Sequence, residues 1–423
     1  MESCVVSTLN AVETALCALA GAERAEQPAT PTDIGGGDAA LADRATELLG
    51  PEPSSGRARV MVTLPMESDG SLVDELVASG TDVLRINCSK GSASAWERLI
   101  EHARAAERRH GRSCRVLCDL AGPNPRTARL YGSDHRRGFI ARVSTGDRLL
   151  LAKERSLVPR DVEELPLVGC TLPSILDDIR EGDRVFYDDG KIEGVVRAVS
   201  EGTAVVEVTA TRKPRIKLRP AKGLNFPDSK LALPSLTDKD LEDLKFVVAH
   251  ADMVGLSFVR SAEDVMHAQE TLAGLGGDRL GVVLKIETLP AFSALPRLLL
   301  AALRSPRVGV MVARGDMALE LGYARLAEAQ EEILWICEAA MVPVIWATQV
   351  LESLNKTGVP SRGEVTDAAM GARAECVMLN QGEHVVEAVR FLAGVLDRMR
   401  DHQEKKRSLL RRLSISTISP EES

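Results

Sequence analysis

From residue 59 onwards, the chain alternates short apolar runs with amphipathic segments in one fixed order. Each apolar run has the length and the Val, Ile and Leu content of a parallel strand that is buried on both faces. The predicted strands span 59–65, 83–88, 115–121, 253–259, 281–288, 308–313, 342–348 and 376–380. The predicted helices span 72–79, 93–109, 239–250, 262–275, 289–304, 326–341, 363–374 and 384–400.

Eight strands that are each followed by a helix match the requirement of one fold, the TIM (β/α)8 barrel. An open, doubly wound parallel sheet is the structural alternative for the same alternation. That alternative is disfavoured, because neither a glycine-rich dinucleotide motif nor a Walker A motif follows the first predicted strand. The sequence therefore predicts an α/β protein whose barrel is formed by residues 57–127 and 221–398.

One segment, residues 128–220, breaks the alternation. Its apolar runs are short and β-like, and turn sequences such as Ser-Thr-Gly-Asp (144–147) separate them. These runs span 139–143, 148–152, 184–187, 192–199 and 203–208. We expect a small all-β domain that is inserted after the third barrel strand. An insertion at the C-terminal end of a barrel strand lies over the catalytic face, so it is positioned to act as a lid.

The two ends of the chain differ from the barrel in pattern. Residues 1–56 are predicted to form an N-terminal extension, with short helices at 5–22 and 39–49 joined by a linker rich in Pro and Gly. Residues 399–423 form a charged tail that is predicted to extend the last helix and then fray. The tail contains Arg-Arg-Leu-Ser at 411–414, which has the form of a phosphorylation site at Ser414 but is a motif common by chance.

Composition limits the partners and the compartment. The net charge of −8 argues against a surface for nucleic acid or anionic membranes, and no apolar run approaches the ~20 residues that span a bilayer. Eight cysteines are scattered without Cys-x-x-Cys spacing, so we expect free thiols in a reducing compartment. The N-terminus lacks the basic and apolar regions of a signal peptide. A cytoplasmic location is predicted, with an organelle as the alternative if the N-terminus is incomplete.

Two neighbouring predicted strands end in charged residues suited to phosphate chemistry. Lys285 and Glu287 lie two apart at the end of one strand and therefore point to the same side, while Asp316 follows the next strand. The carboxylates of Glu287 and Asp316 are hard oxygen ligands that suit a divalent cation such as Mg²⁺. Lys285 beside them can neutralise a phosphoryl group. The combination predicts either phosphoryl transfer or enolate chemistry.

Eight short motifs occur in one order between residues 58 and 395. They are Leu-Arg-Ile-Asn-Cys-Ser (84–89), Cys-Asp-Leu-Ala-Gly-Pro with Arg-Thr (118–123 and 126–127), Tyr-Asp-Asp-Gly-Lys-Ile (187–192), Lys-Gly-Leu-Asn-Phe-Pro (222–227), Leu-Ser-Phe-Val-Arg (256–260), Lys-Ile-Glu (285–287), Met-Val-Ala-Arg-Gly-Asp (311–316) and Ala-Thr-Gln-Val-Leu-Glu-Ser (347–353). In these motifs and their order, the chain closely resembles the pyruvate kinase family. Eight ordered motifs are far more specific than any one of them.

The resemblance implies transfer of a phosphoryl group from phosphoenolpyruvate to ADP, which gives pyruvate and ATP. It implies Mg²⁺, with Mn²⁺ as an alternative, and in most members K⁺. Lys285 would lie beside the transferring phosphoryl group, and Glu287 and Asp316 would hold the Mg²⁺. Thr348 would contact the substrate and share in protonating the enolate with water or neighbouring groups. A helix-capping role for Thr348, in the helix that follows it, is compatible with this.

The resemblance also implies ligand-binding residues. The implied catalytic residues are Lys285, Thr348 and Arg85. The implied substrate-binding residues are Arg85, Ser257, Lys285, Ala313, Arg314, Gly315 and Thr348. The implied nucleotide-binding residues, with arginines suited to bidentate phosphate contacts, are Arg85, Asn87, Lys90, Arg126 and Lys222. The implied K⁺ ligands, for which a hydrogen-bonded strand-end cluster is the alternative, are Asn87, Ser89, Asp119 and the carbonyl of Leu120.

Several positions depart from the family pattern. Ala121 and Asn124 stand where many members carry charged residues, Lys90 replaces a histidine, and Ala318 replaces a glycine. The last predicted strand is followed by Asn-Gln-Gly-Glu-His at 380–384 instead of the family's Ser-Gly-Glu-Thr. The family's C-terminal effector domain is expected to be missing, so we expect no sugar-phosphate activation. The K⁺ requirement and assembly as a homo-oligomer stay open.

Two other functions remain as alternatives at this point. The first is a Mg²⁺-dependent lyase or decarboxylase that forms an enolate on the same barrel without a nucleotide. The second is a regulatory homologue with weak or no catalysis, which the departures at 121, 124 and 380–384 motivate. Retention of Arg85, Arg126 and Lys222 argues against the first. Retention of the metal and substrate positions argues against the second.

Overall fold

The structure, a computed structural model, describes residues 36–131, 142–154, 165–400, 402–404 and 407–408. Its first part contains helices α1 (Gly36–Leu49), α2 (Gly70–Ala78) and α3 (Ala93–His110) and strands β1 (Arg59–Thr63), β2 (Val83–Asn87) and β3 (Arg115–Asp119). The predicted helix at 5–22 and Ser414 lie outside the described residues. The helix predicted at 39–49 is present and begins three residues earlier.

Short, mostly antiparallel strands follow β3. They are β4 (Thr127–Tyr131), β5 (Arg142–Val143), β6 (Arg148–Ala152), β7 (Leu167–Cys170), β8 (Arg184–Tyr187), β9 (Ile192–Ser200), β10 (Thr203–Thr211), β11 (Ile216–Lys217) and β12 (Leu224–Asn225). Seven of them form one sheet in the order β12-β8-β9-β10-β6-β7-β4, and β5 pairs with β11. A 3-10 helix within this part spans Pro173–Asp177. The sheet has its own apolar core, which includes Leu151, Ile175 and Val206.

The chain then returns to alternating strands and helices. The strands are β13 (Met253–Leu256), β14 (Gly281–Ile286), β15 (Val308–Ala313), β16 (Val344–Ala347) and β17 (Cys376–Leu379), with a short pair β18 (Gln403–Glu404) and β19 (Arg407–Ser408) near the C-terminus. The helices are α4 (Asp238–His250), α5 (Ala262–Gly274), α6 (Leu289–Ala302), α7 (Arg314–Leu321), α8 (Tyr323–Ala339), α9 (Glu352–Thr357), α10 (Arg362–Gly371) and α11 (Val385–Met399).

Eight parallel strands close into a barrel, in the order β1-β17-β16-β15-β14-β13-β3-β2. This confirms the predicted TIM barrel and excludes the open sheet. The barrel forms because its strands are apolar on both faces: one face packs inside the barrel and the other against the surrounding helices. Capping boxes at Thr237, Ser261 and Ser361 fix where three of these helices begin.

Two sequence expectations concern cysteines and membranes. The cysteines that lie within the described residues are buried free thiols, as expected; they are Cys88, Cys114, Cys118, Cys170, Cys337 and Cys376. Among the helices that the structure describes, none is long and apolar enough to cross a membrane.

Helix α1 closes the N-terminal end of the barrel. Leu48 and Leu49 are each 1% exposed and join the apolar cluster that fills the barrel interior. A Cβ atom at Gly281 or at Gly309 would lie only 2.5 Å from a methyl carbon of Leu48. Glycine at the start of β14 and β15 therefore makes room for this leucine. Arg44 joins the other side of α1 to the barrel by donating to the carbonyl of Ala340 at 2.9 Å.

Truncating Leu48 should weaken the whole barrel. Leu48→Ala leaves a cavity under β14 and β15, so we expect the free energy of unfolding to fall by about 2–5 kcal/mol. Urea unfolding followed by circular dichroism measures the change. Leu300→Ala is the matched control, since Leu300 is 73% exposed on α6 and its truncation should change stability by less than about 0.5 kcal/mol. An equal loss of unfolding free energy in the two variants would contradict the conclusion that α1 closes the N-terminal end of the barrel.

Candidate active site

Lys285 lies at the C-terminal end of β14, where it is buried and surrounded by oxygen atoms. Its Nζ donates to Ser257 Oγ at 2.7 Å. It also forms ion pairs with Glu287 Oε1 at 3.0 Å and with Asp119 Oδ2 at 3.3 Å. Although burial disfavours the charged amine, Asp119 and Glu287 raise the pKa of Lys285. The lysine is therefore a fixed positive charge at the catalytic end of the barrel.

Asp119 connects this lysine to Arg85 on the neighbouring strand β2. Arg85 Nε donates to Asp119 Oδ2 at 2.8 Å, and a second guanidinium nitrogen contacts the same oxygen. Arg85 also donates to Thr63 Oγ1 at 3.0 Å. Although burial opposes ionisation, Lys285 and Arg85 hold the pKa of Asp119 below its usual value. The aspartate thus orients both cations through one carboxylate.

Glu287 follows β14 directly and is 3% exposed. Its Oε1 faces Lys285, and its Oε2 accepts the backbone N–H of Phe258 at 2.7 Å. Phe258 has a φ of +58°, a strained value for a bulky residue, which turns that N–H toward the carboxylate. Burial raises the pKa of Glu287 to about 7; Lys285 opposes this rise and the charge of Asp316 adds to it.

Asp316 lies in the first turn of α7, next to the end of β15. Its Oδ1 accepts a hydrogen bond at 3.1 Å from Nδ2 of Asn225, which lies in strand β12. Burial raises the pKa of Asp316, while Asn225 and Lys285 oppose the rise. Glu287 and Asp316 are therefore two acidic groups close enough to repel each other, and both belong to the environment of Lys285.

The donor set of Glu287 and Asp316 fits a divalent cation. The buried Glu287 and the half-buried Asp316 offer hard oxygen atoms on two carboxylates that repel each other, which is the ligand chemistry that Mg²⁺ prefers. Within the described ranges, no group of three or more His, Cys, Asp or Glu side chains could hold a metal on its own. A cation here would thus complete its shell with substrate oxygens and water, as Mg²⁺ usually does in sites that bind phosphates.

Arg314, Gly315 and Thr348 come together where β15 and β16 end. The Arg314 guanidinium contacts Asp367, donates to the carbonyls of Ala347 and Thr348 at 2.8 and 2.6 Å, and lies 4.6 Å from the centre of the Trp346 ring. The positive charge of Arg314 is therefore balanced by Asp367 inside the protein. Thr348 has a φ of +68°, and its Oγ1 accepts the N–H of Gly315 at 2.9 Å.

Thr348 thus has a different capping role from the one expected. The helix that follows it, α9, begins after Leu351 without a side-chain cap. The Thr348 hydroxyl instead accepts a hydrogen bond from the first turn of α7, the helix that follows the preceding barrel strand, β15. The reason is the positive φ of Thr348, Gln349 and Leu351, which turns the chain away from a direct helix start.

The residues implied for K⁺ lie at the ends of β2 and β3, where Asn87 and Asp119 are paired in register. Asn87 Oδ1 accepts the N–H of Ser89 at 3.0 Å, and the Leu120 carbonyl accepts from Ser257 Oγ at 2.8 Å. The four residues thus lie at or just after the ends of two neighbouring strands. Each named contact is also that of a hydrogen-bonded strand end, so the K⁺ assignment stays a prediction.

Arg126 and Lys222 lie together where the chain passes between the barrel and the β-rich part. Arg126 forms a β-bridge with Gly223 and donates to the Ala221 carbonyl at 3.3 Å. Lys222 Nζ lies 3.1 Å from Asp188 Oδ1. Lys90 is exposed at the end of β2. Lys90 and Arg126 follow the C-terminal ends of β2 and β3, and the bridge between Arg126 and Gly223 brings Lys222 to the same side of the barrel.

Several side chains that hold the site were not identified from the sequence. Thr63 positions Arg85, Asn225 contacts Asp316, Asp188 pairs with Lys222, and Asp367 pairs with Arg314. Asn225 and Asp188 stand inside motifs that carry the family resemblance, so a signal was present for them. Asp367 lies in a helix without any motif, and only the folded structure brings it to Arg314.

Known proteins are similar in sequence to most of this chain, including its barrel. Residues 55–389 match the family model for the barrel domain of pyruvate kinase. A pyruvate kinase from Methylorubrum extorquens is 32% identical over 83% of this chain and 69% of its own length. Pyruvate kinases from Thermotoga maritima (30% identical, 85% of this chain and 73% of its own) and Mycobacterium tuberculosis (34%, 80% and 69%) are similarly related.

These matches confirm the resemblance that the ordered motifs indicate. They cover both halves of the barrel and the β-rich part between them. They do not favour the lyase or the non-catalytic alternative, because the relatives are pyruvate kinases. The chain belongs to the pyruvate kinase family and is an enzyme of that kind.

Proposed function

We propose that the cluster around Lys285 transfers the phosphoryl group of phosphoenolpyruvate to ADP, which yields pyruvate and ATP. The observation that supports this best is a buried lysine held between Glu287, Asp119 and Ser257 beside a second carboxylate, Asp316. A fixed cation next to a divalent-metal site is what stabilises a phosphoryl group in transfer. The family assignment supplies the substrate class.

Lys285 stabilises the negative charge that develops on the transferring group. Its amine is already oriented by three oxygen atoms, so little reorganisation is needed when the substrate binds. Arg85 contributes a second positive charge from the same side through the shared Asp119. In this proposal, loss of Lys285 removes an interaction that matters most in the transition state.

Glu287 and Asp316 would hold Mg²⁺, with Mn²⁺ as a substitute. When bound, the metal would act as a Lewis acid on the oxygen atoms of the substrate. Asn225 holds the Asp316 carboxylate, and the Phe258 N–H holds that of Glu287, so neither ligand has to be ordered on binding. Oxygen atoms of Asn87, Ser89, Asp119 and Leu120 would bind K⁺ beside this centre.

Thr348 would contribute to protonation of the enolate. Its Oγ1 accepts the Gly315 N–H, which leaves the hydroxyl proton available to donate. A threonine alone is a weak acid, so we assign the proton to a relay of Thr348 and water. Ser257 and the backbone of Ala313, Arg314 and Gly315 would contact the substrate, with Arg314 fixing the loop rather than meeting the ligand by its guanidinium.

Arg126, Lys222 and Lys90 would bind the phosphates of the nucleotide together with Arg85 and Asn87. The proposal places ADP between the barrel mouth and the β-rich part at 128–220, which would act as the lid. Lys222 at the junction is paired with Asp188 of the β-rich part. A phosphate would compete with Asp188 for Lys222, so binding of ADP would be coupled to the position of this part.

The requirement for ADP separates the proposed reaction from enolate chemistry without a nucleotide. With phosphoenolpyruvate, ADP and Mg²⁺, the purified chain should form pyruvate at a rate that falls to background when ADP is left out. The coupled lactate dehydrogenase assay measures this, with and without K⁺. Pyruvate formation that does not need ADP would favour a lyase or phosphatase reaction. No turnover under either cation condition would contradict catalysis altogether.

A further inference from the structure

A cavity of about 330 Å³ lies at the end of the barrel opposite Lys285. It is enclosed by helix α1, by the linker that leads into β1, and by the segment at 372–375 before β17. Its volume is at the lower end of the range of about 300–1,000 Å³ that small-molecule pockets occupy. Because α1 precedes residue 55, part of this cavity lies outside the match to the family model.

Arg59, the first residue of β1, lines this cavity and is 5% exposed. Its Nε donates to the Gly50 carbonyl at 2.9 Å and one terminal nitrogen donates to Thr46 Oγ1 at 3.2 Å. Both acceptors are neutral. Among the described residues, no carboxylate lies within 4.0 Å of the guanidinium. The five N–H groups of an arginine are therefore only partly used here.

The neighbouring Arg57 shows what a buried arginine normally requires. It is similarly buried but pairs with Asp82 at 2.9 Å. Burial lowers the pKa of Arg59. Glu52 and Asp82 favour its charged form, but they act from a distance and form no ion pair with it. A buried charge is costly unless an opposite charge meets it, so this position is completed best by an anion.

The rest of the cavity wall indicates which anion fits. Much of it is aliphatic, from Leu41, Ala42, Ala45, Ala372, Ala374 and Leu396. Three carboxylate-bearing residues, Asp38, Glu52 and Glu375, and three arginines, Arg57, Arg59 and Arg400, also line it. Because these charges balance, the wall offers no excess of positive charge for a multiply charged ion such as a phosphate ester. A single carboxylate with a short aliphatic group meets both conditions, because it carries one charge and covers the apolar wall.

We propose that this cavity binds a small aliphatic monocarboxylate, with its carboxylate on Arg59 and its alkyl group against the wall formed by α1 and Ala372. A carboxylate can accept two N–H groups of one guanidinium, which gives the site both charge and orientation. Since Arg59 already bonds to the end of α1, a bound ligand would also fasten α1 to the barrel. Binding would therefore stabilise the folded chain.

Isovalerate is a suitable probe, because it has one carboxylate and a branched four-carbon alkyl group. Binding to the full chain is measured by saturation-transfer NMR and by the rise in the thermal unfolding midpoint with ligand concentration. Arg59→Met removes the charge at similar length and should weaken binding at least about tenfold. Arg297→Met is the matched control on the exposed side of α6 and should leave binding unchanged. Isovaleramide, which is uncharged, should bind at least about tenfold more weakly than isovalerate.

Ala372→Leu provides a second route if Arg59→Met fails to fold. It fills the apolar side of the cavity while leaving the guanidinium in place, so it should abolish isovalerate binding. Saturable binding that is lost in Arg59→Met or Ala372→Leu and kept in Arg297→Met supports the site. Equal binding in all variants, or no saturable binding to the unaltered chain, overturns it. Inorganic phosphate that displaces isovalerate at lower concentration than isovalerate itself requires would overturn the assignment to monocarboxylates.

Discussion

Replacing Lys285 with Met is expected to lower kcat for pyruvate formation by about 10³-fold or more, the loss seen when a charge that stabilises a transferring group is removed. Met has a similar length but carries no charge and donates no hydrogen bond. Ser257, Asp119 and Glu287 would each lose their contact with the amine. Binding of ADP should change little, because the residues proposed for its phosphates are retained.

The control for this result is a lysine of the same kind outside the site. Lys356 lies on α9 with 62% of its side chain exposed and pairs only with Glu352 among the ionic contacts of the described residues. Lys356→Met should retain the kcat of the unaltered enzyme. Circular dichroism and thermal melting must show that Lys285→Met is folded. A folded Lys285→Met variant with more than a tenth of the original kcat would exclude the role proposed for the lysine.

Glu287→Gln is expected to produce the second large effect, on the dependence of the rate on Mg²⁺. A glutamine keeps the shape of the side chain but removes the negative charge that would attract the cation. Loss of an outer partner of a metal ligand costs about 10–100-fold in affinity, so loss of a direct ligand should raise the Mg²⁺ concentration for half-maximal rate by at least about 100-fold. Rates measured across a range of free Mg²⁺ test this.

Glu320→Gln is the matched control for the metal ligand. Glu320 lies in the same helix as Asp316, and burial raises its pKa to about 7, as it does for Glu287. Its nearest hydrogen-bond contact is the N–H of Leu289 at 3.5 Å, and it has no proposed role with the metal. We expect an unchanged Mg²⁺ dependence in Glu320→Gln. The same Mg²⁺ dependence in both variants would show that Glu287 is not a ligand.

The barrel could be predicted because its signal is local. Continuous apolar runs at regular spacing identify all eight strands of the closed barrel, and Val308–Ala313 matches its prediction residue for residue. Several other strands end earlier than predicted: β13 ends at Leu256 rather than at residue 259, and β14 ends at Ile286 rather than at residue 288. Apolar or charged residues continue past the last paired residue of these strands, because the chain turns there into the loops that form the active site.

Those turns depend on backbone conformations that composition does not reveal. Phe258, two residues after the end of β13, and Thr348, directly after β16, both adopt a positive φ. Neither residue type favours that region, so no local rule predicts it. The conformations are instead stabilised by long-range contacts, such as the Phe258 N–H on Glu287 and the Gly315 N–H on Thr348. Strain of this kind is concentrated at functional sites, as it is here.

Residues of the site were predictable where a motif or a strand end carries them. Lys285 and Glu287 lie next to each other in the structure, as their spacing at a strand end predicts. Asp367 and Thr63 were not predictable from any motif: Asp367 reaches Arg314 from helix α10, and Thr63 meets Arg85 where β1 pairs with β2. The same holds for α1: a helix was predicted, but its position under β14 and β15 depends on Gly281 and Gly309 leaving space for Leu48.

The fate of the phosphoryl group tests the central claim most directly. Phosphorus NMR of the purified enzyme with phosphoenolpyruvate, ADP and Mg²⁺ follows each phosphate separately. We predict that the phosphoenolpyruvate signal is replaced one for one by the γ-phosphate of ATP, and that Lys285→Met slows this exchange by about 10³-fold. Loss of phosphoenolpyruvate as inorganic phosphate, or transfer at an undiminished rate in the folded Lys285→Met variant, would contradict the account.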